Sequence, residues 1–204
     1  MMLMRRRLVT LMCLLLLAAC GGGTPVLGKL GAADVVLAFG DSLTHGTGAK
    51  PEDSYPAVLG ALIGRNVVRA GVPGEQTAGG LQRLPGMLDE HQPRLVIVCL
   101  GGNDMLRKRP HESIESNLRQ ILGTIKSRGI DAVLVGVPAP GLITSAPAFY
   151  EKLAKEFGIP YEGKIVTSVL YQPELKSDPI HPNADGYRRM AEAIAELLRK
   201  AKAI

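Results

Sequence analysis

Tryptophan is absent from this 204-residue chain, and Phe and Tyr together bring the aromatic content to only 4%. A core built from it must be mostly aliphatic. Cysteine is equally sparse, with three residues. Cys13 lies inside an N-terminal apolar run, Cys20 ends that run, and Cys99 sits alone on a later apolar run as a small core residue. No intrachain disulfide framework fits that distribution. The four histidines make no metal-ligand spacing with one another or with the single downstream cysteine, so neither a zinc site nor any other metal or cofactor is expected. Beyond the first seven residues no block of five like charges occurs. Of 24 Lys and Arg, three (Arg5, Arg6, Arg7) belong to the N-terminal leader, which leaves 21 against 19 acids. That near-balance gives no electrostatic case for nucleic acid. What is present is 46% hydrophobic residues over a length that suits one domain with a sizeable core.

The leader reads as an export signal. Met4-Arg5-Arg6-Arg7 is basic, Leu8 to Leu17 is apolar, and Ala18-Ala19-Cys20 follows. The run is short for a membrane span. Leu17-Ala18-Ala19-Cys20 resembles a bacterial lipobox, which implies cleavage after residue 19 and lipidation of Cys20. The alternatives are an ordinary cleaved signal or an uncleaved anchor. In a Gram-negative host, Gly21 after the cysteine points to the periplasmic side of the outer membrane. Residues 20–29, with Gly21-Gly22-Gly23-Thr24-Pro25, read as a flexible tether, and the folded domain is expected over 30–204.

Downstream, strand and helix patterns alternate. Ala33 to Phe39, Val67 to Ala70, Leu95 to Leu100 and Ala132 to Val137 read as strands, and Ile159-Pro160-Tyr161 as a short last one. Leu95 to Leu100 is apolar without alternation, as a parallel strand covered on both faces should be. Helices are expected over Tyr55 to Ile63, closed by Gly64, and over Thr77 to Glu90, where Pro85 argues for a bend or break. Further helices carry the apolar face Ile114, Leu118, Ile121, Leu122, Ile125, then Ala148 to Phe157 closed by Gly158, and Ala184 to Lys202. Such alternation predicts an α/β domain, a parallel sheet with helices on both faces.

The chemistry is expected at the loops. Val35 to Phe39 runs straight into Gly40-Asp41-Ser42, which alone is equally a turn. The loops holding Ser42, Gly74 and Asn103 each follow a strand and should gather at one sheet edge. Asp178-Pro179-Ile180-His181-Pro182 precedes the last helix, with a carboxylate three residues from a histidine on a proline-stiffened segment. Serine is a weak nucleophile until a base takes its proton, imidazole has the pKa for that, and a carboxylate on the second ring nitrogen fixes the tautomer. Backbone N–H groups of Ser42 and Gly74, with the Asn103 amide, are candidate donors to an oxyanion.

Gly40-Asp41-Ser42, Gly74 after Ala70-Gly71, Gly101-Gly102-Asn103-Asp104 and Asp178-Pro179-Ile180-His181-Pro182 resemble, in order, the four motif blocks of the SGNH (GDSL) hydrolase family. Leu118-Arg119-Gln120-Ile121-Leu122 and Lys152 to Phe157 resemble its bacterial thioesterase I/lysophospholipase/arylesterase branch. The resemblance implies a three-layer, flavodoxin-like fold of about five parallel strands. It implies Ser42 as nucleophile, His181 as base, Asp178 as its partner, and Ser42, Gly74 and Asn103 as the oxyanion hole. Pro73 stands where that branch often has serine, which touches loop shape more than mechanism.

Asp41 and Asp104 are expected to hold loop backbone, and His45, His91 and His111 to stand aside. Met105, Leu106, Leu142, Ile143 and Ile180 are candidates for an acyl groove or else for core and edge. Arg107, Lys108 and Arg109 would meet an anionic headgroup or form a solvated loop. The function expected is an esterase or thioesterase with an acyl ester as its small-molecule partner and the membrane as the partner of lipidated Cys20. A carbohydrate O-deacetylase of the same superfamily and a non-enzymatic surface lipoprotein are the alternatives. Oligomeric state is not legible.

Overall fold

The computed structural model describes residues 23–139, 141 and 145–204. Five strands, β1 (Val35–Gly40), β2 (Asn66–Gly71), β3 (Leu95–Cys99), β4 (Asp131–Val135) and β5 (Tyr161–Glu162), form one sheet in the order β2-β1-β3-β4-β5. Every pairing is parallel. This is the flavodoxin-like winding, and its order reverses between β1 and β3. β1 and β3 occupy the middle, and that explains their runs: Val36 to Phe39 and Leu95 to Cys99 are all fully buried. β2, at an edge, is less covered: Asn66 and Arg69 are exposed and only Ala70 is buried.

Eight helices are described: α1 (Ser42–His45), α2 (Tyr55–Ile63), α3 (Thr77–His91), α4 (Gly102–Leu106), α5 (His111–Ser127), α6 (Ala148–Phe157), α7 (Ile165–Tyr171) and α8 (Ala184–Lys200). α2, α7 and α8 pack together in one layer, and α3, α5 and α6 in the other. The expected inward faces hold. Ile114, Leu118, Ile121, Leu122 and Ile125 of α5 are buried, as are Tyr187, Met190, Ala191, Ile194, Leu197 and Leu198 of α8. Gly64 and Gly158 close α2 and α6 in the left-handed region.

Three expectations change. α3 runs unbroken through Pro85, which lies on its exposed face, where a carbonyl deprived of its partner can turn to water. Ser42 and Asn103 lie at helix starts rather than in open loops, in α1 and α4. The folded domain begins upstream of residue 30. Leu27 and Leu30 are buried, and their N–H groups donate to the carbonyls of Ala201 and Ala203 (2.8 Å each). Gly28 N–H donates to Asp131 Oδ2 (3.0 Å) at the start of β4, and Arg65 Nη2 to the Leu30 carbonyl (3.1 Å) just before β2. The apolar Leu27 docks this segment across the amino-terminal ends of the strands. Residues 1–22, with the predicted signal and Cys20, lie outside the described residues.

Candidate active site

β1 delivers Asp41 and Ser42 to the carboxyl edge of the sheet, and β3 delivers Asn103 beside them, at the reversal point where open parallel sheets hold ligands. Asp41 caps α1, its Oδ1 accepting from Leu43 N–H (3.0 Å). Its Oδ2 accepts from Asn103 Nδ2 (3.1 Å). One carboxylate thus fixes the helix that carries Ser42 and the amide that faces it. Burial pushes the Asp41 carboxyl up to about 7; the Leu43 N–H, the Asn103 amide and the His181 charge oppose this, and the Glu75 charge adds to it. Asp104, also buried, accepts from the N–H and hydroxyl of Thr77 (2.8 and 2.7 Å), pinning α4 to the start of α3. Both aspartates support backbone as expected, and Asp41 additionally orients a site side chain.

The base arrives from a different part of the chain. Lys176 and Pro182 form an isolated antiparallel bridge, and Ser177 N–H donates to the His181 carbonyl (3.0 Å), closing a small loop ahead of α8. Within it Asp178 Oδ1 accepts from the N–H groups of Ile180 and His181 (2.9 Å each), and Oδ2 meets His181 Nδ1 at 2.7 Å. Partial desolvation raises the Asp178 pKa, but the His181 hydrogen bond, the two N–H groups and the His181 charge outweigh it and hold the carboxyl below its ordinary value. An ionised carboxylate only accepts, so Nδ1 carries the hydrogen and Nε2 offers its lone pair. Ser42 Oγ lies 3.0 Å from that nitrogen. Asn183 caps α8 at Gly186 N–H (3.0 Å) and ties the loop to the Glu174 carbonyl (2.8 Å). Tyr187 Oη donates to the Thr47 carbonyl (2.7 Å), joining α8 to the segment after α1.

Gly74 follows β2 with φ of +78°, a conformation that side chains strain to adopt. Arg107 Nη1 donates to its carbonyl (3.0 Å). The N–H groups of Ser42 and Gly74 have no protein acceptor among the described residues. Ser42, Gly74, Asn103 and His181 all face one cavity of about 660 Å³. Its apolar side includes Leu106, Val137, Leu170, Tyr171 and Ile180.

Leu106 and Ile180 therefore stand where an acyl groove was expected. Met105 does not: it turns into the core at 6% exposure while its neighbour Leu106 points out, because adjacent helical positions face different ways. Leu142 and Ile143 lie outside the described residues. Thr167, Leu170 and Tyr171 were not anticipated; they line the cavity from α7, a helix whose apolar run carries no functional signal. His45 is exposed at the end of α1 and off the cavity wall, and His111 sits edge-on to Phe149.

The model of the GDSL-like lipase/acylhydrolase family matches residues 38–189. Thioesterase 1/protease 1/lysophospholipase L1 of Escherichia coli K12 is 36% identical over 179 residues, covering 84% of this chain and 86% of the relative. An arylesterase of Vibrio mimicus is 33% identical, covering 83% and 90%. Among solved structures, TesA superposes with a TM-score of 0.72 at 27% identity over 82% of this chain and 99% of that one. AlinE4, an SGNH-hydrolase family esterase, superposes with a TM-score of 0.65 at 33% identity, covering 85% and 98%. With the five-stranded parallel sheet, its two helical layers and this match across most of its length, the chain belongs to the GDSL-like lipase/acylhydrolase family, as an ester hydrolase of the SGNH type.

Proposed function

We propose that the chain cleaves acyl esters and thioesters through an acyl-enzyme on Ser42. The observation that carries this is the continuous hydrogen-bonded line Ser42–His181–Asp178, at 3.0 and 2.7 Å, opening on an apolar cavity. Ser42 Oγ attacks the carbonyl carbon as its proton passes to His181 Nε2, and Asp178 stabilises the imidazolium. The oxyanion accepts hydrogen bonds from the N–H groups of Ser42 and Gly74 and from Asn103 Nδ2, which has a second hydrogen beyond the one given to Asp41. His181 returns its proton to the leaving oxygen or sulfur and the acyl group stays on Ser42. Water then attacks the acyl-enzyme, His181 takes its proton, and collapse restores Ser42 with that proton while the acid departs.

The apolar wall from Leu106 to Ile180 supports acyl groups longer than acetyl, and the names of the E. coli and Vibrio relatives support ester and thioester substrates alike. Lipidation at Cys20 and residence on a bacterial membrane remain part of this reading, on the leader's pattern alone.

Hydrolysis of p-nitrophenyl esters from acetate to palmitate, beside an acyl-CoA, tests the reaction. Wild type is expected to prefer a medium or long chain, and Ser42→Ala to lose about 10⁴-fold or more in kcat. A variant as active as wild type would overturn the assignment, and activity confined to acetyl esters would favour a deacetylase. Membrane fractionation that Cys20→Ala abolishes is expected for the anchor; a wild type found free of the membrane would refute it.

A further inference from the structure

Arg83 has no part in the scheme above, yet its guanidinium is tied to three pieces of the site's frame. Its Nε and Nη2 donate to the two carboxylate oxygens of Glu75 (2.9 and 2.6 Å) in a bidentate pair. The same Nη2 lies 3.2 Å from the Ala70 carbonyl and 3.4 Å from that of Gly40. Its Cζ sits 4.2 Å over the ring of buried Phe39. Gly40 ends β1 immediately before Asp41 and Ser42, Ala70 lies at the end of β2, and Glu75 adjoins Gly74. One turn earlier α3 packs closely at Gly80, where a Cβ would lie 2.7 Å from Leu100 Cδ1.

The loop of residues 72–76 needs such a hold. It is short, it contains the left-handed Gly74, and its own bonds are Val72 N–H to the Gly40 carbonyl (3.0 Å) and Glu75 N–H to the Val72 carbonyl (3.1 Å). The Arg107 contact to Gly74 is exposed to solvent, where such bonds hold little. The Arg83–Glu75 pair is mostly covered, with side chains 21% and 8% exposed. Covering an ion pair gains little stability for its desolvation cost, so its value is better sought in geometry.

We propose that Arg83, acting through Glu75, is a positioning residue for the Gly74 N–H, locking the loop of residues 72–76 to the ends of β1 and β2 so that this amide faces the oxyanion. The inference rests on the ester-hydrolase reading and on Gly74 as a donor.

The test uses full-length Arg83→Gln, Arg83→Lys and Glu75→Gln with p-nitrophenyl butyrate, beside wild type and Ser42→Ala. Displacing a reacting group by about an ångström costs on the order of 100-fold, so Arg83→Gln is expected to lower kcat by about 10- to 100-fold. KM should stay within about twofold, because a donor used only in the transition state does not hold the substrate. Arg83→Lys should fall between, and the Arg83→Gln/Glu75→Gln double variant should be no worse than the more impaired single one, since both break one unit. In Arg83→Lys, which keeps both charges, the acid limb of the kcat/KM profile should not move, because the His181–Asp178 pair is untouched and the Glu75 charge near Asp41 remains. Wild-type kcat in all three single variants overturns the proposal; so does a loss confined to KM, or an acid limb shifted in Arg83→Lys. Should Arg83→Gln fail to fold, Glu75→Gln decides alone, and its keeping wild-type kcat overturns the proposal. Equal activity in Ser42→Ala and wild type would instead break the ester-hydrolase reading and leave the clamp unaddressed by no fault of its own geometry; the hydrogen exchange of the Gly74 and Glu75 amides then decides it, with exchange unchanged by Glu75→Gln counting as refutation.

Discussion

The two halves of the site are held by different means. Ser42 and Asn103 stand at the ends of the two central strands, on backbone continuous with the most buried part of the molecule, and Asp41 between them is 2% exposed. His181 and Asp178 stand on a loop that belongs to no strand, and the Asp178 side chain is 43% exposed. The first half inherits its position from sheet packing. The second is held by local hydrogen bonds: Asp178 to two N–H groups, Ser177 to His181, and Asn183 to α8. Substitutions in the loop should therefore strike activity with little cost in stability, while those at the strand ends should move both.

The sharpest contrast is expected at Asp178. Asp178→Asn frees the imidazole to adopt the wrong tautomer and should lower kcat by about 10³- to 10⁴-fold. Tm should barely change, as thermal unfolding beside steady-state kinetics would reveal; a large drop in Tm would erase the distinction between the halves. Asn103→Ala removes one of the proposed oxyanion donors and leaves Asp41 Oδ2 without its amide partner, while Oδ1 keeps the Leu43 N–H. It should lower kcat by about 10²- to 10³-fold with KM nearly constant, and should also lower Tm.

Asp41 carries the strand-end half into pH dependence. The folded chain holds its proton more tightly than the unfolded chain, because burial lifts it from 3.8 to about 7. The stability this contributes is complete below the ordinary carboxylate value and is lost as pH rises through about 7. Asp41→Asn does not titrate, so urea unfolding from pH 4 to 8 should show the variant gaining on wild type by up to a few kcal/mol across that range. Its kcat should nevertheless fall about tenfold, since an amide facing Asn103 no longer orients it as a carboxylate does. A constant difference between variant and wild type would remove Asp41 from the stability of this edge. The smallest effect is expected at Asn183: replacing it with Ala loses a helix cap worth about 1 kcal/mol, with kcat down less than tenfold as the loop loosens.

Legibility in the sequence followed the same division. β1 and β3 were readable because a strand covered on both faces has no reason to alternate, and α2 and α6 because Gly64 and Gly158 mark where left-handed backbone ends them. Ser42, Gly74, Asn103, Asp178 and His181 were readable as a set because each sits in a short run of turn-forming or glycine residues after an apolar strand or before a long helix. α1 and α4 were not, since four or five residues show no helical period; their starts follow from the Asp41 cap and from Gly101 turning the chain off β3. β5 was blurred for the same reason, being two residues long. Met105 was left between groove and core because sidedness on so short a helix depends on what packs beneath it; it lies in the core. The α7 wall was invisible because Ile165 to Tyr171 is a short, largely apolar run interrupted by Thr167 and Ser168, too short to show a face, and only tertiary packing turns Thr167 and Tyr171 towards the cavity. The bonds of Arg83 were hidden too, as nothing in the spacing of residues 75 and 83 marks them as partners.

The docking of Leu27, Gly28 and Leu30 across the amino-terminal ends of the strands gives the molecule a front and a back. The cavity opens at the front, and the chain arrives at the back, a strand length of about 20 Å away. The seven steps from residue 20 to Leu27 reach at most about 25 Å when fully stretched, little more than the length of one strand. Substrate and the segment of residues 27–30 therefore meet the domain at opposite ends of its strands, so changes at one end can be made without touching the other.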